Sequence, residues 1–170
     1  MIQASAFRRS GLVLFAAQAL GLSLIIAASA HIRVPFAPVP MTMQTGAVMA
    51  IAAICGWRLG LAAMAAYLIE GALGLPVFAA GIGLPVLAGP TAGYLVGMAA
   101  AAVIVGSVRG SWRQALAIVV ATAVIYAFGV AWLSHFVGFD RAVALGLLPF
   151  LVGDAFKGAL AWTLARVLAR

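Results

Sequence analysis

The sequence predicts an all-α integral membrane protein: six transmembrane helices in one compact bundle, a single domain over residues 1–170. Three observations carry this. Hydrophobic residues make up 66% of the chain and charged residues 8%, with a mean hydropathy of +1.22. A soluble domain carries about 25% charged residues, and one of this size cannot hide so much apolar surface. The apolar runs are long, unbroken and rich in Ala, Leu and Gly, the pattern of spanning helices and not the short alternating segments of a barrel. Finally, six spans sort the arginines: Arg8, Arg9, Arg58, Arg109, Arg113, Arg166 and Arg170 fall on one side, Arg33 and Arg141 on the other. That asymmetry places both termini in the cytoplasm.

The first span is Gly11 to Ala30. Arg8 and Arg9 precede it as in a signal peptide, but the apolar stretch is long and further spans follow, so it is read as retained. Residues 31–45, with Pro35, Pro38 and Pro40, cannot form a regular helix. They are apolar nonetheless, and irregular backbone of this kind is tolerated where it packs on protein or lines a cavity. A short second span, Gly46 to Gly56, turns at Trp57-Arg58 into a third, Leu59 to Leu75, which carries Glu70. An uncharged Gly/Pro-rich loop, 76–93, precedes the fourth span, Tyr94 to Val108. The fifth is Leu116 to Phe136, and the sixth Ala144 to Leu168, entered through Pro149. Both irregular loops then lie on the outer side.

The basic balance of +7 is spread along the chain, which serves topology and not nucleic-acid binding. No phosphate-binding GxxxxGK[ST] loop, GxSxG elbow or HExxH motif occurs, so no enzyme is expected and any ATP hydrolysis belongs to another subunit. Cys55 is the only cysteine, and His31 and His135 have no partner at ligand spacing, so no metal site and no cofactor is expected. What stands out is PFLVGDAFKGA at 149–159, early in the sixth span on the outer side. Asp154 and Lys157 are spaced i, i+3 and share a face. Charges within a span cost about 2.5–3.5 kcal/mol each on insertion scales and mark functional sites. An ion pair that only fixes packing is one reading. The other is a ligand anchor, Lys157 supplying donors for a carboxylate and Asp154 acceptors for N–H groups. Gly153 and Gly158 allow close approach beside them, and Phe78, Tyr94 and Phe150 are candidate walls. Glu70 is a second membrane carboxylate, the feature a solitary or proton-coupled carrier of another small carboxylate would use. Ala17–Gly21 and Ser23–Ala27 are small-xxx-small pairs, suited either to internal packing or to docking another membrane subunit.

Four segments, PVPMTMQT at 38–45, GALGLPVF at 71–78, GPTAGYL at 89–95 and PFLVGDAFK at 149–157, resemble the BioY family, the biotin-binding S components of energy-coupling factor (ECF) transporters. The likeness runs over nearly the whole chain from about residue 30. Ala92 departs from it, standing where the family commonly has Gly, as does the segment 80–88. The resemblance implies six helices in a prokaryotic cell membrane and biotin bound near the outer face. It also implies a transmembrane scaffold subunit and two ATP-binding cassette ATPases as partners, although some family members are thought to work alone. Gly153, Asp154 and Lys157 map onto the family's GDxxK segment. With Gln44, Phe78 and Tyr94 they form the expected ligand set, Asp154 facing the ureido group.

Overall fold

The computed structural model describes the backbone of residues 2–168 and the side chains of residues 11–168. It is helical almost throughout. α1 (Ile2–His31) leads into a two-stranded antiparallel hairpin, β1 (Arg33–Val34) with β2 (Met41–Thr42), in which Arg33 pairs with Thr42 and Val34 with Met41. The three prolines lie in and around its tip, where the missing N–H groups break no ladder. Then follow α2 (Gln44–Cys55), α3 (Trp57–Ala72), α4 (Leu84–Ala88), α5 (Ala92–Gly106), α6 (Ser111–Val137), α7 (Phe139–Gly146), a 3-10 turn (Leu148–Phe150) and α8 (Leu151–Leu168).

The loops expected at 31–45 and 76–93 are therefore irregular but not featureless. The first holds the hairpin and the second holds α4, with Pro85 in its first turn. The larger correction concerns the sixth span. It does not run unbroken from Ala144, because α7 ends at Gly146 and α8 starts at Leu151. Pro149 cannot supply the backbone donor that a helix through this point needs. The chain turns there and sets Phe150 inward.

α1 from Gly11, α6, and the stretch Phe139–Leu168 are long and apolar enough to cross a bilayer. The last is interrupted by that turn, leaving α8 with 18 residues, about 27 Å. α2 has only 12 residues, about 18 Å, and is buried along nearly all its length between α1, α3, α5 and α8. It reverses into α3 at Gly56, whose φ of +87° few other residues adopt. α5 packs most extensively on α6. At Gly97 a Cβ would stand 2.7 Å from Ile125 Cα, so glycine sets how closely those helices approach.

Met49, Met64, Tyr67, Ile125 and Leu133 are among the fully buried side chains. Large apolar side chains such as Val119, Phe128, Val152 and Phe156 point outward, the inverse of a soluble protein's surface and suited to lipid. Arg58, Arg109, Arg113 and Arg166 gather at one end of the bundle, and Arg33 and Arg141 lie at the other. Arg8, Arg9 and Arg170 lie outside the residues whose side chains are described.

Candidate ligand site

A narrow chamber, partly open to the outside, occupies the end of the bundle that carries the hairpin and α4. The shortness of α2 creates it. Because α2 stops well short of a full membrane crossing, its first residues, Gln44 and Thr45, lie at the chamber and not beyond it. The hairpin and the 73–91 segment supply the remaining wall with irregular backbone.

The polar end is built on α8. Asp154 and Lys157 are 3% and 4% exposed, and Lys157 Nζ donates to Asp154 Oδ1 at 2.7 Å. Thr45 Oγ1, from α2, donates to the same oxygen at 3.1 Å. Tyr126, from α6, donates to Oδ2 at 2.7 Å. Three donors, one of them charged, offset the cost of placing a carboxylate in a span. They also tie three helices together at one point. Lys157 uses one of its three N–H donors on Asp154, and Asp154 keeps one lone-pair direction on Oδ2. Both charges line the chamber. Gly46 makes room for the lysine stem, since a Cβ there would stand 3.2 Å from Lys157 Cβ.

A second relay lies across the chamber. Thr42 Oγ1 donates to Gln44 Oε1 at 3.2 Å, Gln44 Nε2 donates to Tyr67 Oη at 2.8 Å, and Tyr67 donates to the Val77 carbonyl at 3.2 Å. The Tyr67 ring meets Phe78 edge-on, centroids 5.3 Å apart. Phe78 lies against Gly71, where any Cβ would overlap its ring. Tyr94 donates to the Gly146 carbonyl at 2.7 Å, so its hydroxyl is committed to the protein and its ring is left as wall. Gly129 gives that ring its seat. The middle of the chamber is thus apolar and aromatic, with hydrogen-bonding groups at its margins.

Of the residues singled out in the sequence, Asp154, Lys157, Gln44, Phe78 and Tyr94 all line this chamber. Gly153 does not. It faces Met41, whose sulfur would stand 3.1 Å from a Cβ at 153, because the residue before Asp154 points off the other side of α8. The docking pairs also divide. Ser23 and Ala27 are buried in the bundle and face inward, which corrects their reading as an outer docking face. Ala17 and Gly21 are exposed, and nothing lies within 4 Å of a Cβ at Gly21. Glu70 sits apart from the chamber, its Oε1 accepting from Ser23 at 2.6 Å, its Oε2 buried and without a partner among the described residues. His31 Nε2 lies 3.0 Å from the Pro76 carbonyl oxygen, and no cluster of three metal-ligating side chains occurs among the described residues. The sequence reading missed Thr45, Tyr67 and Tyr126. Tyr67 and Tyr126 carried one available signal: a hydroxyl in the middle of an apolar helix needs a partner.

Comparison with known proteins places this arrangement among relatives. A family model described as the BioY family matches residues 5–170. A probable biotin transporter of Pyrococcus horikoshii is 41% identical over 140 residues, 82% of this chain and 86% of that one. A biotin transporter of Thermotoga maritima is 38% identical over 147 residues, covering 83% and 87%. One from Rhizobium etli is 33% identical over 171 residues, covering 91% and 89%. Among solved structures, the S-component for biotin from an ECF-type ABC transporter superposes with a TM-score of 0.79 over 94% of this chain and 92% of that one. At 20% identity, that likeness speaks for the fold.

Proposed function

The chain belongs to the BioY family, and from that premise we propose that it is the biotin-capturing S component of an ECF-type uptake transporter. The observation that carries the reading is the chamber: a buried acid–base pair at one margin, an apolar aromatic middle, and an opening at the hairpin end. Biotin has a ureido ring, an apolar bicycle and chain, and a carboxylate. A ureido N–H fits the remaining lone pair of Asp154 Oδ2, and the two spare donors of Lys157 take an oxygen of the ligand. Tyr94 and Phe78 wall the apolar part, and Gln44 closes the far side.

The protein crosses a prokaryotic cell membrane six times, through α1, α2, α3, α5, α6 and α8, with both termini in the cytoplasm and the chamber near the outer face. The arginine asymmetry supports this orientation. ATP hydrolysis falls to two ATPase subunits, reached through a transmembrane scaffold. The exposed Ala17–Gly21 face of α1 suits contact with that scaffold, because small residues let helices approach closely in lipid.

Isothermal titration of purified protein with biotin tests the assignment. Saturable 1:1 binding is expected, lost in Asp154→Ala, and undiminished binding by that variant would sink the site. Biotin methyl ester shows which ligand oxygen Lys157 holds. If it holds the carboxylate, Lys157→Met binds acid and ester equally, whereas the unaltered protein prefers the acid.

A further inference from the structure

Behind the ligand chamber lies a second concavity that biotin capture does not use. α6 and α8 leave an apolar groove of about 520 Å³ between them. Small residues form its bed, among them Ala123, Ala155, Gly158 and Ala159, and its upper end is floored by Tyr126 and Asp154. The side chains that hold the chamber's polar margin are therefore also the back wall of a groove facing the membrane.

The groove descends to Trp162, whose indole N–H donates to the Ser111 carbonyl at 2.9 Å. From Tyr126 to Ala115 it runs about 17 Å along α6, about one leaflet's share of a hydrocarbon core about 30 Å thick. Immediately beyond Trp162 is a different environment, a pocket of about 250 Å³ lined by residues including Arg109, Ser111, Gln114 and Arg166. Arg166 stacks on the Trp162 ring at 4.8 Å. Arg109 has a single long hydrogen bond, 3.4 Å to the Ala53 carbonyl, leaving most of its donors uncommitted among the described residues. α6 begins here with no side chain capping its first turn, so free backbone N–H groups add to the positive potential. None of the chain's three acidic residues lines this pocket.

We propose that the α6–α8 groove and the Arg109–Arg166 pocket together form a binding site for one anionic phospholipid. Its acyl chain lies against Ala155 and Ala159, and its phosphate sits between the two guanidinium groups. Neither half alone selects this ligand. The groove accepts any hydrocarbon and the pocket any anion, but they adjoin at Trp162, whose ring and N–H touch Arg166 and Ser111 of the pocket, and that juxtaposition fits a molecule that is both. A basic pocket at the interfacial end of spanning helices is a recognised way of holding anionic headgroups. The leaflet follows from the orientation proposed above; the site itself does not depend on biotin.

The test is lipid retention, measured by native mass spectrometry on detergent-purified protein exposed to phosphatidylglycerol or phosphatidylcholine of identical chains. Selective retention of one phosphatidylglycerol is expected. Arg109→Gln with Arg166→Gln should lower that retention roughly thirty-fold, at the strength of two arginine–headgroup contacts. Arg58→Gln, at the same end but outside the pocket, should leave it unchanged. Ala155→Leu with Ala159→Leu, which fills the groove from its exposed side, should also release the lipid. Equal retention of the two lipids overturns the proposal, as does an equal loss in Arg58→Gln, which would mean diffuse charge. Inorganic phosphate competing as well as the lipid would make this a free-anion site and overturn it too. Biotin titration of the unaltered protein separates the two readings: biotin binding without lipid selectivity counts against this site alone, and lipid selectivity without biotin binding against the chamber alone.

Discussion

Two carboxylates lie within this bundle, Asp154 buried and Glu70 half-buried, and their surroundings differ sharply. Asp154 has three donors from three helices and lines a chamber. Glu70 has one, Ser23, and is wedged between α1 and α3 with its second oxygen unpartnered among the described residues. The boundary between these regions is one residue wide. Glu70 faces α1 while Gly71, next to it, faces Phe78 of the chamber wall, because neighbours on a helix point in different directions. The contrast teaches that a charge in a span is not by itself a binding site. What distinguishes Asp154 is three donors gathered beside open space, whereas Glu70 has a single donor and lines no chamber.

The largest effect expected from breaking this contrast is Asp154→Ala. It leaves Lys157 buried without a counter-charge, which costs about 3–5 kcal/mol of stability, and biotin should bind at least about a hundredfold more weakly. Thermal melts with and without biotin read both. Asp154→Asn combined with Lys157→Met sharpens the point. Folding should recover most of its stability, since replacing a buried pair is often near neutral, yet titration should still show no biotin binding. Next in size is Gly71→Val, which drives the Phe78 ring from its seat. Overpacking of this kind costs about 1–3 kcal/mol, and the biotin Kd should rise roughly tenfold. Tyr126→Phe removes one of the donors to Asp154 and should weaken biotin by about tenfold or somewhat less, with the fold intact. The smallest effect belongs to Glu70→Gln, which keeps an oxygen for Ser23. Its biotin Kd should stay within about twofold of the unaltered protein. A tenfold change there would erase the distinction between the two regions and revive a proton-coupled carrier using Glu70.

Most of the helical layout was legible because lipid imposes it: apolar runs, turn residues and arginines leave few alternatives for α1, α3, α5 and α6. The break between α7 and α8 was harder to read. Hydropathy continues across 142–152, and Pro149 alone does not say whether a helix starts or interrupts there. Asp154 and Lys157 were conspicuous as charges in an apolar setting. Thr45 and Tyr126 were not, since each is ordinary in its own helix. They acquire a role only through contacts to Asp154 from 109 and 28 positions away, and local sequence does not encode such distances. Gly153 was misread for a related reason. Adjacency to Asp154 in sequence suggested adjacency in the site, and helical geometry sends it to Met41.

The brevity of α2 bears on how the protein is made. A helix of about 18 Å cannot by itself bridge a hydrocarbon layer about 30 Å thick, so it is poorly suited to enter the bilayer as an independent unit. Joined to α3 by the tight turn at Gly56, it enters as half of a helical hairpin, sheltered by the longer elements that finally enclose it. The last of those, α8, is also the last to be synthesised, and it brings Asp154 and Lys157. Assembly of the chamber therefore awaits the synthesis of α8, and a chain cut before it would have no place for its vitamin.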